Sequence, residues 1–270
     1  MIKLVIRLQL KKFVQNVKDA ELVMLPEVGH GYSVPRNWSS EFVQAYKELA
    51  SQSNAPSPLN TSRLNDLPLV EVPSTKEHSK DLLCVFISGD GEWAGIDQGV
   101  SKRFAAEGIA TVGINLLKYL WKKKTPHQAA IDLQRVVQFY KAKWSKEHVM
   151  FVGYSLGADI LPFMLRDIPK SLQQKTVLAV FLSPSSSVDF QFHLSYWMGG
   201  GSEKNYLRVL PALQSLYELH LLCIYGRDES KTICRDLNLP NVQTVAVPGN
   251  HHYNGNYNVL ADEIFKSLGQ

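Results

Sequence analysis

Ser155 lies within Gly153-Tyr154-Ser155-Leu156-Gly157, between the apolar run Val149 to Val152 and the helix-like stretch Ala158 to Leu165. A G-x-S-x-G pattern flanked by strand and helix marks a sharp turn that lifts a serine hydroxyl above a sheet edge. The two glycines leave room where side chains would clash, and the helix that follows aims free N–H groups at developing negative charge. A serine alcohol is a weak nucleophile until a base removes its proton. Two adjacent histidines, His251 and His252, follow the run Val242 to Val247 and the dipeptide Pro248-Gly249. The usual spacing of four residues beyond the proline selects His252 as the base.

The base needs a carboxylate that orients its ring and stabilises its charged form. The run Leu221 to Gly226 ends in Arg227-Asp228-Glu229. Glu229 stands three residues after Gly226, as in the common G-x-x-D turn, whereas Asp228 is the commoner residue type one position early. Both stay candidates, with Glu229 preferred on spacing. The order serine, acid, histidine along the chain is that of α/β-hydrolases. An oxyanion hole needs backbone N–H groups. The glycine-rich stretch Ser88-Gly89-Asp90-Gly91-Glu92-Trp93 offers those of Asp90 or Gly91, beside that of Leu156.

Elements must hold these groups together. Leu67 to Val72, Leu82 to Ile87, Ala110 to Ile114, Val149 to Val152, Thr176 to Leu182, Leu219 to Tyr225 and Val242 to Val247 read as strands. Helical stretches fall between them at Gly99 to Glu107, from Pro126 to Trp144 and at Ala158 to Leu165, and Ala261 to Leu268 closes the chain. Pro162 is expected to disturb the early turns of its helix. Apolar strands alternating with helices predict an α/β-hydrolase fold, a mostly parallel sheet with helices on both faces. The hydrolase domain is assigned to residues 63–270, behind a polar, proline-bearing linker at 51–62. Residues 1–62 form an N-terminal extension. Within it VMLPEVGHGY, from Val23, echoes VAVPGNHHYN, from Val245, as the remnant of an upstream related domain would.

The chain has 270 residues, 45% of them hydrophobic, sufficient for one large core. With 29 basic and 25 acidic residues the net charge is only +4, which does not suit a nucleic-acid binder. Cys84 and Cys223 lie in apolar runs and read as buried thiols. With Cys234 as the third cysteine, neither a disulfide framework nor a metal site is expected, and no cofactor is called for. The opening MIKLVIRLQLKKFVQNV is broken by Lys3, Arg7, Lys11 and Lys12, so neither a signal peptide nor a membrane span is expected there.

The motifs PLVEV, SGDGEW, KYLWKKKTPHQAAIDL, VGYSLGADILPF, CIYGRDES and PGNHHYNGNY occur in order from Leu67 to the end. Together they resemble the VirJ/AcvB family of bacterial proteins. GHGYSVPRNW, from Gly29, resembles the end of the amino-terminal domain of its longer members. The resemblance maps the family serine to Ser155, its base to the His251–His252 pair and its carboxylate to the Asp228–Glu229 pair. Relatives often carry a second glycine where this chain has Glu92. The resemblance implies a periplasmic protein. It implies hydrolysis of aminoacylated phosphatidylglycerol, the lysyl form above all, or association with type IV secretion components. A general carboxylesterase or thioesterase fits the same motifs.

Four aromatic or basic residues are candidates for substrate binding. Trp121 and Lys122 belong to the run Leu120-Trp121-Lys122-Lys123-Lys124, which suits an anionic lipid surface or a phosphodiester. Trp197 lies in FQFHLSYWMGGG, from Phe190, which reads as a cap, lid or partner surface. Trp93 closes the glycine-rich loop.

Overall fold

A computed structural model describes residues 64–190 and 206–269, with a few single positions ahead of residue 50. The chain divides into two compact units, Met1–Leu59 and Asn60–Gln270. The echo in the first fifty residues, the linker and Trp197 lie outside the described residues.

In the larger unit the strands are β1 (Leu69–Val72), β2 (Leu82–Ile87), β3 (Ala110–Ile114), β4 (His148–Tyr154), β5 (Thr176–Leu182), β6 (Ser187–Val188), β7 (Leu207–Arg208), β8 (Leu221–Gly226) and β9 (Val242–Val247). The helices are α1 (Ile96–Ala106), α2 (Leu116–Tyr119), α3 (Pro126–Trp144), α4 (Leu156–Arg166), α5 (Lys170–Gln173), α6 (Val209–Gln214) and α7 (Tyr257–Leu268). Seven strands form one sheet in the order β1-β3-β2-β4-β5-β8-β9, and β6 and β7 form a small antiparallel pair. Only β1 runs antiparallel to its neighbour in the large sheet; every other pairing is parallel.

Strand β2, LLCVFI, is buried at every position because both faces of the sheet are covered. Leu83, Val85 and Ile87 join the core formed with Leu133 and Val137 of α3 and Ile160 and Leu161 of α4. Leu82, Cys84 and Phe86 point the other way, into the core shared with Val100 and Phe104 of α1 and Leu260 and Ile264 of α7. This is the α/β-hydrolase architecture.

Helix α3 starts where a Thr125/Gln128 capping box and Pro126 place it. Helix α4 runs unbroken through Pro162. A proline seven residues into a helix removes one intrahelical bond, and the surrounding core keeps the rest in place: Gly157 to Leu165 are all buried. The thiol expectation needs correction. Cys84 is a buried free cysteine, but Cys223 is joined to Cys234 by a disulfide. A short 3-10 turn at Ile233–Asp236 folds back across β8 and brings Cys234, eleven residues on, against Cys223. Spacing alone carries no sign of that return.

Candidate active site

Strand β4 delivers the nucleophile candidate. Ser155 sits between β4 and α4 at φ 50°, ψ −120°, a conformation that L-residues with a side chain rarely adopt. The flanking glycines are required sterically. A Cβ on Gly153 would lie 2.6 Å from the Gly157 carbonyl oxygen, and one on Gly157 would lie 2.3 Å from that of Ile87.

The histidine that the structure sets against the serine is the other one. His251 Nε2 lies 2.9 Å from Ser155 Oγ, and His251 Nδ1 lies 2.6 Å from Glu229 Oε1. His252, the residue expected from spacing, faces away: its Nδ1 lies 2.8 Å from the Tyr154 hydroxyl. Three hydrogen bonds set this register. Arg227 and Asp228 donate their backbone N–H groups to Val247 and Gly249 carbonyls, drawing the histidine loop tightly over the end of β8. Gly226 permits this, because a Cβ there would lie 2.3 Å from the Gly249 and Asn250 carbonyl oxygens. The Tyr253 side chain is fully buried and donates to the Ile224 carbonyl at 3.0 Å, which fixes the two preceding residues. The loop is therefore one residue shorter than the proline count assumed.

Of the two carboxylates, the structure brings Glu229 to the imidazole. Asp228 is exposed and joins the turn through its backbone. Glu229 is held from its second oxygen as well: Ser183 Oγ donates to Oε2 at 2.5 Å and lies 2.7 Å from the Tyr253 hydroxyl. Ser183 follows β5 at φ 52°, a strained position that turns its hydroxyl towards Glu229. Burial alone would raise the Glu229 pKa, but the hydrogen bonds from His251 and Ser183 outweigh it and hold the carboxyl below its usual value. The bond to Glu229 in turn raises the His251 pKa, against the opposing effect of burial. Ser183 and Tyr253 carry no sequence signal of their own; only the packing of β5 against β8 reveals them.

The serine, the histidine pair and the glycine-rich loop line a cleft of about 450 Å³. Gly89 comes near the serine: a Cβ there would lie 3.7 Å from Ser155 Cβ and 3.2 Å from the Tyr154 ring. Asp90 and Gly91 line the cleft, and Leu156 opens α4, where N–H groups have no partner within the helix. The candidate oxyanion donors thus belong to the loop lining the cleft and to the helix start that follows the serine. Trp93 departs from expectation. It packs inward, edge-on to Phe86 with ring centroids 5.6 Å apart, and covers Gly113, whose missing Cβ makes the space. Trp121 and Lys122 border a separate cleft with Asp66, Pro68, Lys118, Tyr119 and Lys124.

The family profile described as bacterial virulence protein (VirJ) matches residues 81–270. The chain belongs to the VirJ family. No curated protein matches it. Among solved structures, this VirJ-family chain is similar to a putative dienelactone hydrolase from Klebsiella pneumoniae (TM-score 0.54, 14% identity, covering 76% of this chain and 93% of that one). It is also similar to the ferulic acid-bound Est1E from Butyrivibrio proteoclasticus (0.53, 12%, 76% and 96%) and to the Pyrococcus furiosus esterase Pf2001 (0.52, 15%, 76% and 90%). At these identities the likeness is one of fold. With Ser155, His251 and Glu229 hydrogen-bonded in series on that fold, the VirJ-family chain is a serine hydrolase of the α/β-hydrolase superfamily.

One acid that lines the cleft outside this series is buried. Asp97, in the first turn of α1, is buried, and its Oδ1 has no hydrogen-bond partner. Burial pushes its pKa up to about 7, despite a backbone hydrogen bond from Ala94. The unfolded chain ionises this group near pH 3.8 while the folded protein resists until about 7. Stability from this residue is therefore full below pH 3.8 and lost as pH rises to about 7. Asp97→Asn is expected to stabilise the protein at pH 8 by an amount on the order of a few kcal/mol, with the gain vanishing near pH 4. Urea unfolding of both proteins across that range measures it. A gain that does not change with pH would show that ionisation is not the cause.

Proposed function

We propose that this protein cleaves carboxylic esters through an acyl-enzyme on Ser155. The observation that carries this reading is the unbroken hydrogen-bonded series Ser155–His251–Glu229 opening on a cleft. His251 takes the serine proton as Oγ attacks the carbonyl carbon. The N–H groups of Leu156 and of the Asp90–Gly91 loop receive the oxyanion. His251 then returns the proton to the leaving alcohol, and a water activated by the same ring releases the acid.

Within that class we propose an aminoacyl ester of phosphatidylglycerol, lysyl above all, as the substrate. Family resemblance supports it, and so does the cleft. Asp90 and Glu92 line the same cleft as the serine, an acidic wall suited to the ammonium of an aminoacyl group. The disulfide supports an oxidising compartment such as the periplasm. The test is a panel of a short-chain p-nitrophenyl ester, an acyl thioester and lysyl-phosphatidylglycerol, with Ser155→Ala as control. Turnover of any ester that Ser155→Ala abolishes supports the class, and a lead of lysyl-phosphatidylglycerol by kcat/KM supports the substrate. Simple esters leading by orders of magnitude would remove the lipid, and turnover surviving Ser155→Ala would remove the mechanism.

A further inference from the structure

Strand β3 ends in register with the strands of the active site. Ile114 pairs with Ile87, and Ile87 pairs with Gly153, so residues 115–125 leave the sheet at the same carboxyl-terminal edge as Ser155. Leu116 donates its N–H to Ser88 Oγ at 2.9 Å, which ties this segment to the glycine-rich loop of the cleft. Its inner side is anchored. Leu116, Tyr119 and Leu120 are buried, the Tyr119 hydroxyl and Lys124 Nζ both bond Asp132, and the Lys124 N–H donates to the Phe190 carbonyl. Its outer side is different in kind. Trp121 is 72% exposed, the most exposed large hydrophobic residue among those described. Lys118, Lys122 and Lys123 are exposed around it, and among the described residues no carboxylate pairs with any of the three. Asp66, the acid that borders this cleft, is taken by both terminal nitrogens of Arg135.

An indole ring that exposes most of its surface suits the headgroup layer of a bilayer, where its apolar body and N–H are both satisfied. Lysines around it add attraction if the surface is negative. We propose that the rim formed by Lys118, Trp121, Lys122 and Lys123 docks this protein on an anionic lipid bilayer. Docking here sets the active-site edge of the sheet towards the membrane. The meaning of the proposal rests on the ester-hydrolase reading with a lipid substrate, but the binding itself does not need turnover.

The full chain carrying Ser155→Ala, which cannot consume the lipid, is mixed with vesicles of phosphatidylcholine alone or with added phosphatidylglycerol, and the bound fraction is read by flotation. Binding is expected only with phosphatidylglycerol, and it weakens as salt rises. At roughly fivefold per lysine, Lys118→Gln, Lys122→Gln and Lys123→Gln together lower the affinity about a hundredfold. Trp121→Ala lowers it severalfold, and circular dichroism checks that each variant is folded. Equal binding to both vesicles, no binding to either, or full binding by the folded lysine variant overturns the proposal. Capture of acidic polypeptide in place of vesicles does so too. A protein that turns over soluble esters yet ignores the vesicles loses the docking site and keeps the ester reading.

Discussion

His251→Gln is expected to lower kcat/KM for an ester by about 10³- to 10⁴-fold, and His252→Gln by less than about tenfold. The two residues are adjacent and carry the same imidazole ring, so residue type alone does not separate them. Geometry does. The His251 ring bridges Ser155 and Glu229, whereas the His252 ring lies against the Tyr154 hydroxyl. Removing His251 leaves the serine proton with no acceptor. Removing His252 takes one contact from Tyr154, whose ring packs beside that of His251 with centroids 5.5 Å apart. Steady-state kinetics on the two purified variants decide it. The reverse ranking would mean that the histidine loop adopts another register during turnover.

Glu229→Gln should cost about 10³- to 10⁴-fold at neutral pH, the scale set by loss of an orienting carboxylate in a serine triad. It should also change the shape of the pH profile, which a merely structural loss would not. His251 must be neutral to accept the serine proton, so kcat/KM rises with pH through its pKa. The Glu229 hydrogen bond holds that pKa above the ordinary 6.5. The acid limb of the wild-type profile therefore lies above that value, and in Glu229→Gln it moves to lower pH. Asp228→Asn, at an exposed position, leaves the limb where it is. An acid limb unmoved in Glu229→Gln would remove this carboxylate from its assigned place.

Much of the site is written in local pattern. Ser155 is legible because a glycine-flanked serine between a strand and a helix has one economical conformation, and Glu229 stands at the distance from Gly226 that such a turn uses. The central sheet is legible because runs like LLCVFI, apolar at every position, belong to strands covered on both faces. What escaped depends on contacts between distant segments. The choice between His251 and His252 is made by Tyr253, whose burial and bond to the Ile224 carbonyl no spacing rule records. Ser183 becomes a support for Glu229 only because β5 and β8 are neighbours. Trp93 looks like a binding aromatic in sequence, yet it fills the space that Gly113 leaves in the adjacent strand.

The disulfide between Cys223 and Cys234 brackets the turn that carries Glu229. Its effect reaches beyond holding the chain folded. A carboxylate on a short closed loop has few positions to sample, so the ordering that orientation of the imidazole demands is met once, at oxidation, and not at each turnover. The serine and the histidine ride on parts of the molecule that the bond does not tie. On this reading, closing the bond helps to set the active site as well as the fold. Protein prepared with the bond open is expected to turn over an ester more slowly than protein prepared with it closed, as steady-state kinetics on the two forms would read.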